Sequence, residues 1–446
     1  VANNLLTISQ ITNEGLMVLE NETVFSGKVQ RQYADEFAVT GAKIGYTVNV
    51  RRPPRYIGTF GPALNVEDTN ETYSPVTLNQ QFHVDGQFTT ADLALSMDLF
   101  RTRVLKPMVA AVGNRVDADG TAFAYQNTAA TLGTPGTSPS SFLVFALARA
   151  QLSNEAVPAD SDLQVVLDPK SMAYATDGVK GLFNPQAQLG SYVQKGMVAK
   201  QFAGLNWFED QNITSYTTGA GGGTPITVNA GSTTFFLTSG WSASGKLETS
   251  GWTNSTAVCS VGDVITIAGA FPVNPQSRRQ YGNSLRQFVV LPPNGYLSNA
   301  GTATPGLIFA PATLTNGTFN SATGVYTSSG GGLLQLTLGG CCISGGQFQN
   351  VAAAPANGAA ITLLGPASTV SPQNIAFHKN AFALAYADLP LPQGVQMAAR
   401  AADKDIGMSI RLVTQYTINN DAEPTRCDVL YGYASLYREL AARIAG

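Results

Sequence analysis

A chain of 446 residues that is 44% apolar is long enough for two to four packed domains and is not a disordered chain. Its 26 Lys and Arg against 29 Asp and Glu leave a net charge of -3, which excludes a surface tracking nucleic acid over its whole extent, since no basic excess is present to release counterions. Charged residues make up only 12%, about half the ~25% of an ordinary soluble domain, so much of the surface is expected to be covered by other protein.

From the start, Val1-Ala2-Asn3-Asn4 carries no basic region and no long apolar stretch, so a signal peptide is not expected. No run approaches the ~20 apolar residues of a membrane helix. Residues 8–24 place Ile8, Ile11, Leu16, Leu19 and Val24 on roughly one helical face. Ile44, Tyr46, Val48 and Val50 then alternate with Gly45, Thr47 and Asn49, the period of a half-buried strand. Arg51-Arg52-Pro53-Pro54-Arg55 stops that strand and opens a long polar excursion. A second alternating run follows at Val76, Leu78, Phe82 and Val84. Two strands joined this way describe an extended hairpin arm, which cannot bury itself and needs a neighbour.

Thr89 and Asp92 mark a helix start. Leu105, Met108, Val109, Val112, Val116 and Phe123 then recur at helical spacing, predicting a helix over 100–126. Further elements are a helix over 141–156, a buried strand Leu163–Leu167, a helix over 170–179 and a strand over 201–209. Between Ile213 and Val370 the charged residues are only Lys246, Glu248, Asp263, Arg278, Arg279 and Arg286, and more than half of the glycines lie there. Short apolar runs between Gly, Asn, Ser and Thr turns make this block all-β, within a more charged, mixed chain. After it come the segment 374–386, a break at Leu389-Pro390-Leu391-Pro392, and strands over 409–417 and 427–433.

Catalytic chemistry has few carriers. His83 and His378 lie far apart and read as structural histidines, so neither a Ser-His-Asp or Cys-His pair nor a metal site is expected. Cys259, Cys341, Cys342 and Cys427 show no metal-ligand spacing and read as reduced thiols. The glycine runs lack the Lys-Ser/Thr of a phosphate loop. Asp117-Ala118-Asp119-Gly120 resembles a calcium loop faintly, but falls inside a helical pattern. Arg51, Arg52 and Arg55 are more informative: Arg suits fixed ion pairs at interfaces, and Glu67, Asp68 and Glu71 of a neighbouring arm are candidate partners. A solvated loop is the bland alternative, and phosphate binding a third.

Several segments occur in a characteristic order: Tyr46–Tyr56 (YTVNVRRPPRY), Leu105–Tyr125 (LKPMVAAVGNRVDADGTAFAY), Ala203–Ile213 (AGLNWFEDQNI), Gly262–Asn274 (GDVITIAGAFPVN), Asn374–Pro392 (NIAFHKNAFALAYADLPLP) and Arg426–Gly432 (RCDVLYG). Together they resemble tailed-bacteriophage major capsid proteins, specifically the short-tailed-phage coat family with an inserted β domain. The resemblance implies an α+β chain with the capsid fold named for phage Hong Kong 97. Its parts would be an N-terminal arm (1–38), an extended β-hairpin loop (39–88), a peripheral domain with a spine helix (89–139), an axial domain in two parts (140–212 and 371–405), an inserted all-β domain (213–370), and peripheral-domain strands with the C-terminus (406–446). The founding phage cross-links subunits through a lysine on the extended loop. Here no Lys occurs between Lys43 and Lys106, so that chemistry is expected to be absent.

The implied function is a structural shell subunit, not an enzyme, without cofactor or metal. It would assemble as hexamers and pentamers into an icosahedral head around double-stranded DNA, with scaffolding and portal proteins as partners, non-specific DNA contact and no membrane. It would reside in the virion capsid after assembly in the bacterial host cytoplasm. An extracellular β-rich adhesin or carbohydrate-binding protein is the rival reading, from 213–370 alone.

Overall fold

The structure is a computed structural model; it describes residues 23–31, 47–89, 106–139, 141–160, 162–178, 201–223, 225–229, 234–293, 317–403, 408–419 and 422–445. The helical pattern over 8–22 and the helix start at Asp92 lie outside these. The chain divides into two compact units. One is Val1–Val50, Tyr73–Thr121 and Lys379–Leu436; the other is Arg51–Thr72, Ala122–His378 and Tyr437–Gly446.

The first unit is organised around the 14-residue strand Ala422–Ser435. At ~3.3 Å per residue it is long enough to take several partners. It pairs antiparallel with Phe382–Ala387, Met408–Thr414 and Gln80–Thr89, and Met397–Asp403 adds beyond Met408–Thr414. The alternating run expected from Val76 to Val84 is therefore two strands. Thr72–Thr77 pairs with Thr47–Arg52 in the arm, whereas Gln80–Thr89 pairs with Ala422–Ser435 in register from Gln80↔Tyr431 to Thr89↔Ala422. Leu78, fully buried at the break, anchors the change of partner.

Helix α1 (Lys106–Asn127) matches the expected long helix. In its first-unit part Met108, Val109, Val112 and Val116 are buried at spacings of one, three and four, as a core-facing stripe requires. The Asp117–Gly120 stretch is helical. Asp117 is buried and accepts hydrogen bonds from the backbone N–H groups of Val24, Phe25 and Ser26 and from the Ser26 hydroxyl (2.6–3.3 Å). Asp119 pairs with Arg115 and accepts from the Tyr431 hydroxyl. Gly120 has no room for a side chain: an added Cβ would lie 2.6 Å from the Tyr433 hydroxyl and 2.9 Å from Phe25.

The second unit holds a seven-stranded sheet in the order Thr131–Leu132, Ala441–Ala445, Val370–His378, Leu163–Leu167, Leu205–Glu209, Gln201–Phe202, with Ser215–Thr217 also on Val370–His378. The expected strand over 201–209 is split by a turn at Ala203 and Gly204, both at positive φ (52° and 75°). Helices α2 (Phe142–Asn154) and α3 (Pro169–Gly178) contribute Phe145, Ala148, Leu152, Met172 and Ala175 to a core with Val165, Leu167, Trp207 and Ile444. Ser141 caps α2 by accepting the Leu143 N–H. The C-terminal strand Ala441–Ala445 joins this sheet, so the chain end does not follow Ala422–Ser435 into the first unit. Ala441–Ala445 is buried at every position, and its one charged residue, Arg443, donates to the Gly262 carbonyl and the Gln373 side chain.

The remaining strands of this unit form three sheets. Six strands run in the order Ile361–Leu363, Val264–Ile267, Gln287–Leu291, Leu334–Gly339, Ser244–Ser250, Thr227–Val228; a three-stranded sheet joins Ala257–Ser260, Val325–Thr327 and Thr318–Asn320; and Phe236–Leu237 pairs with Cys342–Ile343. No helix occurs among the described residues of 213–370. They enclose a core of their own, including Phe235, Leu247, Ile265, Phe288, Tyr326, Leu336 and Cys342. The four cysteines are unpaired and buried. Burial pushes the Cys341 thiol up to about 11 and those of Cys342 and Cys427 to about 12, so none is an activated nucleophile.

Candidate functional site

The arm leaves the fold along Thr47–Arg52 and returns along Thr72–Thr77, its base tied by the Thr47 and Thr77 hydroxyls at 2.8 Å. Pro53 and Pro54 supply no backbone donor, so pairing ends at Arg52. The loop beyond is held by local polar contacts. Glu67 accepts the backbone N–H groups of Ile57 (2.6 Å) and Gly58 (2.5 Å), and the Tyr56 and Thr69 hydroxyls meet at 2.9 Å. The bond from Ile57 above all holds the Glu67 carboxyl below its usual range.

Within the second unit this loop is braced by residues of the β block and of the chain end. Arg52 and Arg55 both donate to one carboxylate oxygen of Glu439, at 3.4 and 3.3 Å. The Arg52 side chain is only 10% exposed, and its guanidinium lies over the Trp241 and Tyr437 rings at 4.8 and 4.5 Å. Arg55 lies over Phe348 at 5.8 Å. Burial raises the Glu439 carboxyl, but the two guanidiniums outweigh it and leave it below its usual range. Further out, Arg278 donates to the Tyr56 carbonyl, Gln347 to the Asp68 carbonyl and Asn70 to Gln347, at 2.7–3.0 Å.

The structure thus separates the six residues singled out in the sequence. Arg52 and Arg55 converge on Glu439 of their own subunit, a partner no sequence spacing pointed to because it lies 384 residues from Arg55. Arg51 remains outside, 83% exposed and 3.7 Å from Glu71 of the same arm. Glu67 serves the loop's own backbone, and Asp68 is engaged through its carbonyl. Along the loop Tyr56, Ile57, Phe60, Leu64 and Val66 are all more than half exposed, Phe60 completely. Five large apolar side chains within eleven residues, on a segment with no core of its own, make an uncovered contact surface. Sequence reasoning fixed on the charges and missed them.

Both histidines are engaged by aspartates. His83 pairs with Asp85 at 2.8 Å, and His378 with Asp160 at 3.1 Å.

Residues 333–443 match the family model described as "P22 coat protein - gene protein 5". No curated protein matches the chain. Among solved structures, the chain is similar to "Mycobacterium phage Che8" at 11% identity and a TM-score of 0.42, covering 95% of this chain and 90% of that one. It is also similar to "Capsid structure of the Cyanophage P-SCSP1u" at 9% identity and a TM-score of 0.41 (100% and 91% covered). A third is "Asymmetric unit of bacteriophage PhiM1 mature capsid" at 8% and 0.43 (95% and 86% covered).

Proposed function

We infer that the chain is a structural major capsid protein of the tailed-phage coat family, a subunit of the head shell. The observation that carries this is the coat-family match over 333–443, which runs from the β block through the strands Val370–His378 and Ala422–Ser435 to the last strand. The braced arm with its uncovered apolar loop agrees with it, because such a loop is covered only by another molecule.

In finer detail we assign the Hong Kong 97-type arrangement, with 47–77 as the extended loop, α1 as the spine helix and 213–370 as an inserted domain. That block's separate core, low charge and all-β content support this division. Arg51, Glu67, Asp68 and Glu71 stand at the outward part of the arm and would meet a neighbour's arm, while Arg52 and Arg55 set the arm's position from within. Hexamers and pentamers closing an icosahedral shell around DNA follow, with scaffolding and portal proteins as partners and a location in the virion after assembly in the host cytoplasm. The role is structural, with no reaction assigned.

Electron microscopy of the purified protein tests the reading: closed shells, tubes or sheets are expected. Particles that stay monomeric at high concentration, with or without added scaffolding protein, would overturn it.

A further inference from the structure

Antiparallel pairing sets His378, the last residue of its strand, opposite Leu163, the first residue of its own. The loop leading into Leu163 therefore arrives beside the imidazole, and it carries Asp160 and Asp162. The donor atoms of Asp160, Asp162 and His378 all lie within 4.8 Å of one another. The imidazole is 3% exposed and held by the sheet, whereas the Asp160 side chain is 46% exposed. Asp160 also accepts the Asp162 backbone N–H at 3.0 Å, which fixes the two carboxylates on one turn.

We propose that Asp160, Asp162 and His378 form a binding site for a divalent transition-metal ion, with Zn2+ as its best-suited probe. One imidazole nitrogen and two carboxylates are a borderline donor set that suits Zn2+, where Ca2+ and Mg2+ prefer oxygen alone. Two anionic carboxylates and a neutral imidazole balance the ion's charge, and exposure of the carboxylate side leaves further positions to water. Two ligands at ~2.0–2.2 Å from a tetrahedral zinc stand ~3.3–3.6 Å apart, so donor atoms now within 4.8 Å of one another must close in by up to about 1.5 Å. Rotamer adjustment of exposed aspartates provides this, against an imidazole that need not move. Binding replaces the His378–Asp160 contact: Nε2 gives up any proton to solvent and takes the ion, and Asp160 turns from hydrogen-bond partner to ligand. The ion would fasten Asp160 and Asp162 to the end of the strand Val370–His378.

Calorimetric titration of the full-length chain with ZnCl2, paired with thermal melts, tests this. One Zn2+ per chain and a melting temperature that climbs with Zn2+ concentration are expected, with CaCl2 giving neither. Asp162→Asn leaves the His378–Asp160 contact in place and should keep the metal-free melt while weakening Zn2+ binding at least tenfold; His378→Gln should abolish it. Absence of Zn2+ binding in the parent, unchanged affinity in Asp162→Asn, or loss of binding in His83→Asn instead would each overturn the site.

Discussion

Glu439→Gln removes one negative charge and keeps the side chain's shape, leaving the Arg52 and Arg55 guanidiniums facing each other without their shared counter-ion. Removing one partner from a fully buried pair costs ~3–5 kcal/mol. Here the Glu439 and Arg55 side chains are 22% and 33% exposed, so water compensates part of it and about 1.5–3 kcal/mol is expected. The loss falls on the attachment of the arm and much less on the core of the second unit, because both arginines belong to the arm's first leg. Local opening of the arm should therefore rise about 10–100-fold, at ~1.4 kcal/mol per tenfold. Trypsin reads this directly. The Arg55–Tyr56 bond becomes cleavable when the arm detaches, whereas Arg52–Pro53 is a poor site in any state, and with rapid reclosing the nicking rate tracks the open population. The same carboxylate predicts an acid effect. Its folded pKa is depressed below the ordinary value of 4.5, so its contribution is present above that value and is lost as pH falls through the folded pKa. Hydrogen exchange over residues 53–70 should accelerate below pH 4.5 in the parent, beyond the intrinsic pH trend, and show no such extra step in Glu439→Gln. Equal nicking rates for parent and variant at neutral pH would refute the idea that Glu439 holds the arm.

Gly120→Ala places a methyl group 2.6 Å from the Tyr433 hydroxyl and should lower stability by about 1–3 kcal/mol, seen as an earlier thermal melt despite alanine's better helix propensity. Arg51→Glu breaks only an exposed pair with Glu71, worth ~0–1 kcal/mol, so the melt should stay put; reduced yield of closed particles by electron microscopy would then report a contact made between subunits. Residues 214–368 expressed alone should give a β-rich circular dichroism spectrum and a cooperative melt, since their strands pair mainly with one another around their own core; a random-coil spectrum would contradict the division.

Local pattern was enough where one segment's own chemistry decides its state. Leu163–Leu167 reads as a buried strand because four of its five residues are apolar, Val165 and Val166 β-branched among them, and it is buried at every position, Gln164 included. The spacing of Met108, Val109, Val112 and Val116 announced α1. The charge-poor composition of 213–370 marked the all-β block, and the polar, proline-broken stretch after Val50 marked an arm without a core. Partner choice is a different quantity. Whether Gln80–Thr89 continues the arm or joins Ala422–Ser435 depends on which edge is free, and both pairings satisfy the same alternation. Asp117 in a helical pattern gives no sign that it will receive the N–H groups of a segment more than ninety residues away. The arginines after Val50 announced ion pairing by their type, but a guanidinium accepts any carboxylate that the fold presents, and only the return of the chain end beside the β block presents Glu439. Composition and periodicity act between near neighbours and so are written in the sequence; the meeting of Arg52, Arg55 and Glu439 comes from the packing of strands hundreds of residues apart, which only the tertiary structure decides.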